Sequence, residues 1–214
     1  MFTGITRGTF AVTKVERAPG LLRYAVALEP ALSEGLAIGA SVAIDGVCQT
    51  VVSASDGDVW FDAIRETLEK TTLDGLQPGQ RVSVERSYRI GDELGGHVVA
   101  GHVNGTGTVQ QVRRDGHDFG LRIAVPAAWM KYVLPKGFIA VDGSSLTIGD
   151  TDRAGAFDVH LVPETLRLTN LGSKRAGDRV NIELDPQTVA IVDTVERVLE
   201  ERERAAQAAQ RDQS

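Results

Sequence analysis

The sequence holds a single cysteine, Cys48, in 214 residues. One thiol cannot close an internal disulfide, which suits a reducing compartment and leaves Cys48 free for chemistry. Aromatic residues make up only 5% of the chain and the net charge is −6. That balance disfavours a nucleic-acid partner, because such proteins present basic faces and stacking aromatics. No apolar run approaches the roughly 20 residues of a membrane span. Met1-Phe2-Thr3-Gly4 also lacks the basic and apolar stretches of a leader. A cytoplasmic protein that meets no membrane is the expectation. The histidines follow no Cys-x-x-Cys or His-Glu-x-x-His spacing, so no metal is expected, and there is no Walker loop. The run from Gly91 to Gly96 follows no clear strand and opens no amphipathic helix. It reads as a flexible connection between domains rather than a dinucleotide loop.

What the chain does contain is a repeat. Ile44-Asp45-Gly46-Val47-Cys48-Gln49-Thr50 and Val141-Asp142-Gly143-Ser144-Ser145-Leu146-Thr147 share a pattern of strand, Asp-Gly turn and strand, offset by 97 (from 44 to 141). Phe2-Thr3-Gly4-Ile5 stands at the same offset before Val99-Ala100-Gly101-His102. Glu66-Thr67-Leu68 and Val82-Ser83-Val84-Glu85 stand 98 before Glu164-Thr165-Leu166 and Val180-Asn181-Ile182-Glu183. Periods of solenoid units run at about 20–50 residues, so this is a duplicated domain.

Within each copy, short β-rich segments such as Thr9–Val15, Leu22–Leu28 and Val59–Ile64 alternate with turns at 55–58 and 114–118. A brief helical turn fits Pro30–Leu36, with a counterpart at Ala127–Leu134 whose Trp129 and Tyr132 read as lid or core packing. The expected fold is all-β: two tandem six-stranded antiparallel Greek-key barrels, 1–96 and 97–186, closed so that no strand edge stays open. Pro186 forbids further sheet pairing and can open a helix. From 187 to 214 a C-terminal helix is therefore expected, with Val189, Val192, Val195 and Leu199 as an apolar stripe and a polar tail fraying beyond Glu200. The stripe needs a cover, either its own barrel or another subunit.

The differences between copies mark the chemistry. Cys48 aligns with Ser145, and two nucleophilic types at one duplicated position favour a cavity-facing role over the small buried hydrophobe a free cysteine commonly is. His97 and His102 stand five apart, so on a strand their rings point to opposite faces and share no metal. His102, aligned with Ile5 and beside Gly101, is read as the pocket residue, and His97 as structural. Arg65-Glu66-Thr67-Leu68 and Pro163-Glu164-Thr165-Leu166 each follow an apolar strand. They place carboxylate, hydroxyl and N–H groups at a barrel rim, or simply begin a solvated turn. His117 reads as a solvated loop residue and His160 as structural.

Met1-Phe2-Thr3-Gly4-Ile5, Gly46-Val47-Cys48-Gln49-Thr50, the run from Gly95 to Val103, Lys136-Gly137-Phe138-Ile139, Asp142–Thr147, Pro163–Leu166 and Ile182–Thr188 together resemble the riboflavin synthase alpha-chain family, from Met1 to about Arg202. The resemblance implies paired barrels, a helix that assembles a homotrimer, and no cofactor. It implies that two molecules of 6,7-dimethyl-8-ribityllumazine exchange a four-carbon unit, giving riboflavin and 5-amino-6-ribitylamino-uracil. The active site would join the N-terminal barrel of one subunit to the C-terminal barrel of its neighbour. Association with a lumazine synthase stays open.

Carried over by position, the N-terminal pocket would hold Gly4, Ile5, Thr6, Ser41, Cys48, Gln49, Thr50, Asp62, Ala63, Ile64, Arg65, Glu66, Thr67, Gly101, His102 and Val103. The C-terminal pocket would hold Lys136, Ser145, Leu146, Thr147, Val162, Pro163, Glu164, Thr165, Leu166, Arg167 and Asp185. His102 would act as base toward the lumazine C7 methyl group, helped by Ser145 and Thr147, while Cys48 and Ser41 assist addition at C7 of the second molecule. Asp185 completes the catalytic set. Gln49, Ala100 and Ser144 depart from the family pattern; Gln49 could place an amide at the pocket, and Ala100 removes a hydroxyl beside His102. Two other readings compete, a lumazine- or flavin-holding carrier of the same ancestry and a barrel pair used as an interaction module.

Overall fold

The structure, a computed structural model, describes residues 1–55, 57–116 and 118–211; Asp56 and His117, both read above as turn residues, lie outside it. β1 (Gly8–Ala18), β2 (Leu21–Ala27), β3 (Ser41–Ile44), β4 (Val47–Ser55), β5 (Asp58–Ile64) and β6 (Arg81–Arg86) close a barrel in the order β1-β2-β5-β4-β3-β6. β7 (Gly105–Asp115), β8 (Asp118–Ala124), β9 (Phe138–Val141), β10 (Ser144–Asp152), β11 (Ala156–Leu161) and β12 (Arg179–Leu184) close a second, in the order β10-β11-β8-β7-β12-β9. Matched strand for strand, the two orders are the same. Among the described residues four α-helices decorate the barrels: α1 (Pro30–Ser33), α2 (Arg65–Lys70), α3 (Pro163–Leu168) and α4 (Pro186–Arg211). Ala127–Trp129 forms a single 3₁₀ turn where the longer helical turn is expected, and Trp129 and Tyr132 pack on the second core.

Strand alternation builds each interior. Along β4, Val47, Gln49 and Val51 are buried while Cys48 is half-buried and Thr50 exposed; along β10, Leu146 and Ile148 are buried, Ser145 half-buried and Thr147 exposed. The period of two therefore turns the nucleophiles away from both cores. β3 and β4 join through Asp45 (φ 44°) and Gly46 (φ 79°), and β9 and β10 through Asp142 (φ 43°) and Gly143 (φ 81°). Positive φ at both residues is the hairpin turn that Asp-Gly favours.

These two turns meet back to back. A Cβ on Gly46 would lie 2.3 Å from the Gly143 nitrogen, so the seam between barrels closes only on glycine. Asp45 Oδ1 accepts from the Ser83 N–H (2.6 Å) and Asn170 Nδ2 (2.9 Å), and the Asp45 carbonyl accepts from Asn181 Nδ2 (2.8 Å). Asp142 Oδ1 accepts from the Asn181 N–H (2.7 Å), and Lys174 Nζ lies 2.7 Å from Asp142 Oδ2. Phe2, Ala43, Val99 and Ala140 form a small apolar cluster in the same seam, with Cys48 against it. Burying Phe2 completely is worth about 1.5–3 kcal/mol.

The segments that lead into the barrels also meet there, with Phe2 and Val99 exchanging N–H···O bonds of 2.7 and 3.0 Å. Gly96 is not the free hinge expected from its Gly-Gly sequence, because a Cβ would fall 2.4 Å from the Thr3 carbonyl oxygen and 2.7 Å from Ser145 Cβ.

α4 does not fray at Glu200 but runs to Arg211. Alanine and alternating charge sustain it, with Arg204 paired to Glu200 one turn back (3.3 Å). Its first turns dock on the second barrel: Val189 packs on that core, and Asp193 accepts from Tyr132 Oη (2.6 Å) and Lys131 Nζ (3.1 Å). Ile191, Val195, Val198 and Leu199 stay exposed, so the stripe is only partly covered by its own barrel. Among the described residues no helix is long and apolar enough to cross a membrane.

Candidate functional site

Antiparallel pairing of β4 with β5 sets the end of β5 beside the start of β4, which brings Ile64 and α2 toward Cys48. β10 and β11 do the same for Val162, α3 and Ser145. Two equivalent outer faces result. The first carries Cys48, Thr50 and Ser41, with Ser41 paired opposite Thr50. The second carries Ser145, Thr147 and, opposite Thr147, Phe138.

Each face is bordered by the lead segment of the other barrel. The Ser145 N–H donates to the Gly4 carbonyl (2.8 Å), and the Cys48 N–H donates to the Gly101 carbonyl (2.9 Å). Gly4 (φ 72°) and Gly101 (φ 78°) sit so close that a Cβ would fall 2.5 Å from Ser145 Cβ and 2.6 Å from Cys48 Cβ. Gly4 to Thr6 therefore do not belong with the first face, as positional carry-over suggested; Gly4 lies on Ser145, and the Thr6 hydroxyl is 3.4 Å from that of Ser144. Gly101 lies on Cys48, and Val103 packs against the first core. The crossing of the lead segments carries no signal in the linear repeat.

His97, read from sequence as structural, puts Nδ1 2.7 Å from Ser145 Oγ and stacks on Phe138 at 5.2 Å between ring centroids. Burial holds its pKa below 6.5, against the pull of Asp185, so the ring is neutral near pH 7. Its buried Nε2 has no hydrogen-bond partner among the described residues. His102 has an exposed side chain on the segment that covers Cys48. His160 is exposed as well, 3.1 Å from Asp118.

Several expected pocket residues are engaged elsewhere. Gln49 points into the first barrel, and its Nε2 donates to the Cys48 carbonyl (2.9 Å). The placement follows from its alternation with Val47 and Val51. Ala63 and Leu146 are core residues for the same reason. Asp62 is held by Arg23 (2.8 Å), whose guanidinium lowers the pKa of that carboxyl. Glu66 pairs with Lys70 and Glu164 with Arg167 on their own helices. Asp185 caps α4, accepting from the Thr188 hydroxyl (2.6 Å) and N–H (3.1 Å) and from the Gln187 N–H (3.3 Å). Arg65, Lys136, Thr147, Val162 and Pro163 are exposed around the two faces, with Thr67, Thr165 and Leu166 half-buried behind them. Among the described residues no group of His, Cys, Asp and Glu could hold a metal ion.

A family profile described as Lumazine binding domain matches residues 3–87 and again 100–185. Riboflavin synthase of Escherichia coli (strain K12) is 45% identical over 206 residues, 96% of each chain. The chain belongs to the riboflavin synthase family. Among solved structures, LumP complexed with riboflavin superposes with a TM-score of 0.80 at 25% identity, covering 86% of this chain and 100% of LumP. LumP complexed with 6,7-dimethyl-8-(1'-D-ribityl) lumazine superposes at 0.77 with 26% identity, covering 86% and 98%. The family assignment suits the paired outer faces, each of the same frame and each with different polar groups.

Proposed function

We propose that the chain converts two molecules of 6,7-dimethyl-8-ribityllumazine into riboflavin and 5-amino-6-ribitylamino-uracil. The carrying observation is the pair of equivalent faces, one presenting Cys48 and the other Ser145 with His97, in a chain so close to a riboflavin synthase. A dismutation takes one compound in two unlike roles, donor and acceptor of the four-carbon unit. Equal frames with unlike polar groups meet that need.

The lumazine ring acidifies its own C7 methyl, so a modest base suffices. Neutral His97 beside Ser145 supplies one on the second face, and His102 stands by the first. Cys48 and Ser41 assist addition at C7 of the other molecule, and Arg65, Lys136, Val162 and Pro163, exposed around the two faces, border ring and ribityl chain. Holding two flat rings face to face replaces an entropic barrier of roughly 7–11 kcal/mol.

A homotrimer, in which the first face of one subunit meets the second face of a neighbour, brings the two rings together. Ile64 (57% exposed) and Val162 (61%) border faces left open in the single chain, which supports that cover.

The test mixes purified protein with 6,7-dimethyl-8-ribityllumazine. Riboflavin absorbance should rise, with one riboflavin formed for two lumazines consumed. Lumazine bound and unchanged would instead make the chain a carrier, the reading the likeness to LumP favours.

A further inference from the structure

Two buried carboxylates of the seam take no part in the chemistry above. Glu85 of β6 uses Oε1 to accept from the Thr3 N–H and hydroxyl (both 2.7 Å) and Oε2 to accept from the Gly4 N–H (3.1 Å). Glu183 of β12, its repeat partner, accepts from the Ala100 N–H (2.7 Å) and the Gly101 N–H (2.9 Å). Both are nearly inaccessible. Burial raises both pKa values, and the N–H groups that each carboxylate accepts oppose that rise.

The grip crosses the molecule. The segment held by Glu183 of the second barrel ends on Cys48 of the first, through the Gly101 carbonyl. The segment held by Glu85 of the first barrel ends on Ser145 of the second, through the Gly4 carbonyl. Resting on the dismutase reading, the geometry points to Glu85 and Glu183 as cross-wired positioning residues: each barrel sets the reactive face of the other. Each carboxylate takes a backbone N–H on each of its two oxygens, so glutamine would set its own NH2 group against one of them. A plain structural clamp would loosen both faces together. Cross-wiring loosens one.

Two reporters separate these outcomes without any turnover. Cys48, the single thiol, reports the first face through its alkylation rate with iodoacetamide. His97, touching Ser145, reports the second through its imidazole proton resonances. Glu183→Gln should change the Cys48 rate by threefold or more. Glu85→Gln should shift His97 and leave the Cys48 rate within 1.5-fold. Gly101→Ala and Gly4→Ala disturb the same two contacts from the other side and should reproduce this split even if a glutamine variant fails to fold. A Cys48 rate that changes as much in Glu85→Gln as in Glu183→Gln, or an unmoved Cys48 rate in Glu183→Gln and Gly101→Ala, overturns the proposal. Because neither reporter needs lumazine, a failed turnover assay and a failed cross-wiring remain distinct results.

Discussion

His97 Nδ1 and Ser145 Oγ face each other at 2.7 Å, joining the segment between the barrels to the residue that replaces Cys48 in the second repeat. Phe138, stacked on the ring, stands at the strand position that Ser41 holds in the first repeat. The second face therefore gains a shielded base where the first keeps a hydroxyl.

Since burial is what lowers the His97 pKa, exposure should restore it. Phe138→Ala should move the imidazole midpoint up toward 6.5, whereas Ser145→Ala should leave it low, both read by NMR titration. The folded ring binds its proton less readily than the unfolded one. Its contribution to stability is thus complete above pH 6.5 and is lost as pH falls through the lower folded midpoint. A midpoint above 6.5 in the unaltered protein would contradict the shielding.

Asp185 offers a choice between capping and catalysis. Asp185→Asn keeps an acceptor for the Thr188 and Gln187 groups, and Asp185→Ala removes it. If capping is its main work, the alanine variant should lose about 1 kcal/mol of stability, while the asparagine variant keeps both stability and turnover. Turnover lost in Asp185→Asn, with an unchanged melting temperature, would return Asp185 to the catalytic set.

At the seam, Lys174 answers two carboxylates. Burial raises the pKa of Asp45, with Asp142 adding to it, and the same carboxylates hold the Lys174 ammonium charged against its own burial. Lys174→Met should cost about 3–5 kcal/mol near pH 7, the usual result of leaving buried charge uncompensated. A raised carboxyl stabilises most when protonated, at low pH, and that contribution fades as pH climbs through its folded value. The deficit of Lys174→Met should therefore shrink on acidification from pH 8 to 6 in denaturant melts. A deficit that grows would reverse the argument.

Much of the architecture was legible because it rests on local rules. Asp45-Gly46 and Asp142-Gly143 announce their hairpins, and the repeat announces two like barrels. The site was harder for a physical reason: it is made by contacts between the copies. Nothing in the spacing of Gly4 or Gly101 says that each covers the other barrel's strand. The spacing of five from His97 to His102 suggested a strand with opposed rings, but Gly101 at φ 78° breaks any regular alternation. Gln49 was misplaced for the opposite reason, since a polar residue was taken for a pocket group where the plain period of two, from Val47 to Val51, already turned it inward.

The exposed edge of α4 carries the last expectation. Val195 (52% exposed) and Leu199 (53%) lie one turn apart, Val195 between Asp193 and Glu196, which Lys131 ties down, and Leu199 beyond them. If these residues join the helices of neighbouring subunits, Val195→Glu with Leu199→Glu sets like charges against one another across each contact, at a cost of several kcal/mol. Analytical ultracentrifugation should then find a monomer in place of a trimer. The barrels should keep their far-ultraviolet spectrum, because neither side chain belongs to a core. Turnover should fall at least tenfold, since a lone chain leaves its Cys48 face without a neighbour's Ser145 face opposite. A trimer that survives both glutamates would place the subunit contact elsewhere, and full activity in a proven monomer would mean that one chain brings two lumazines together unaided.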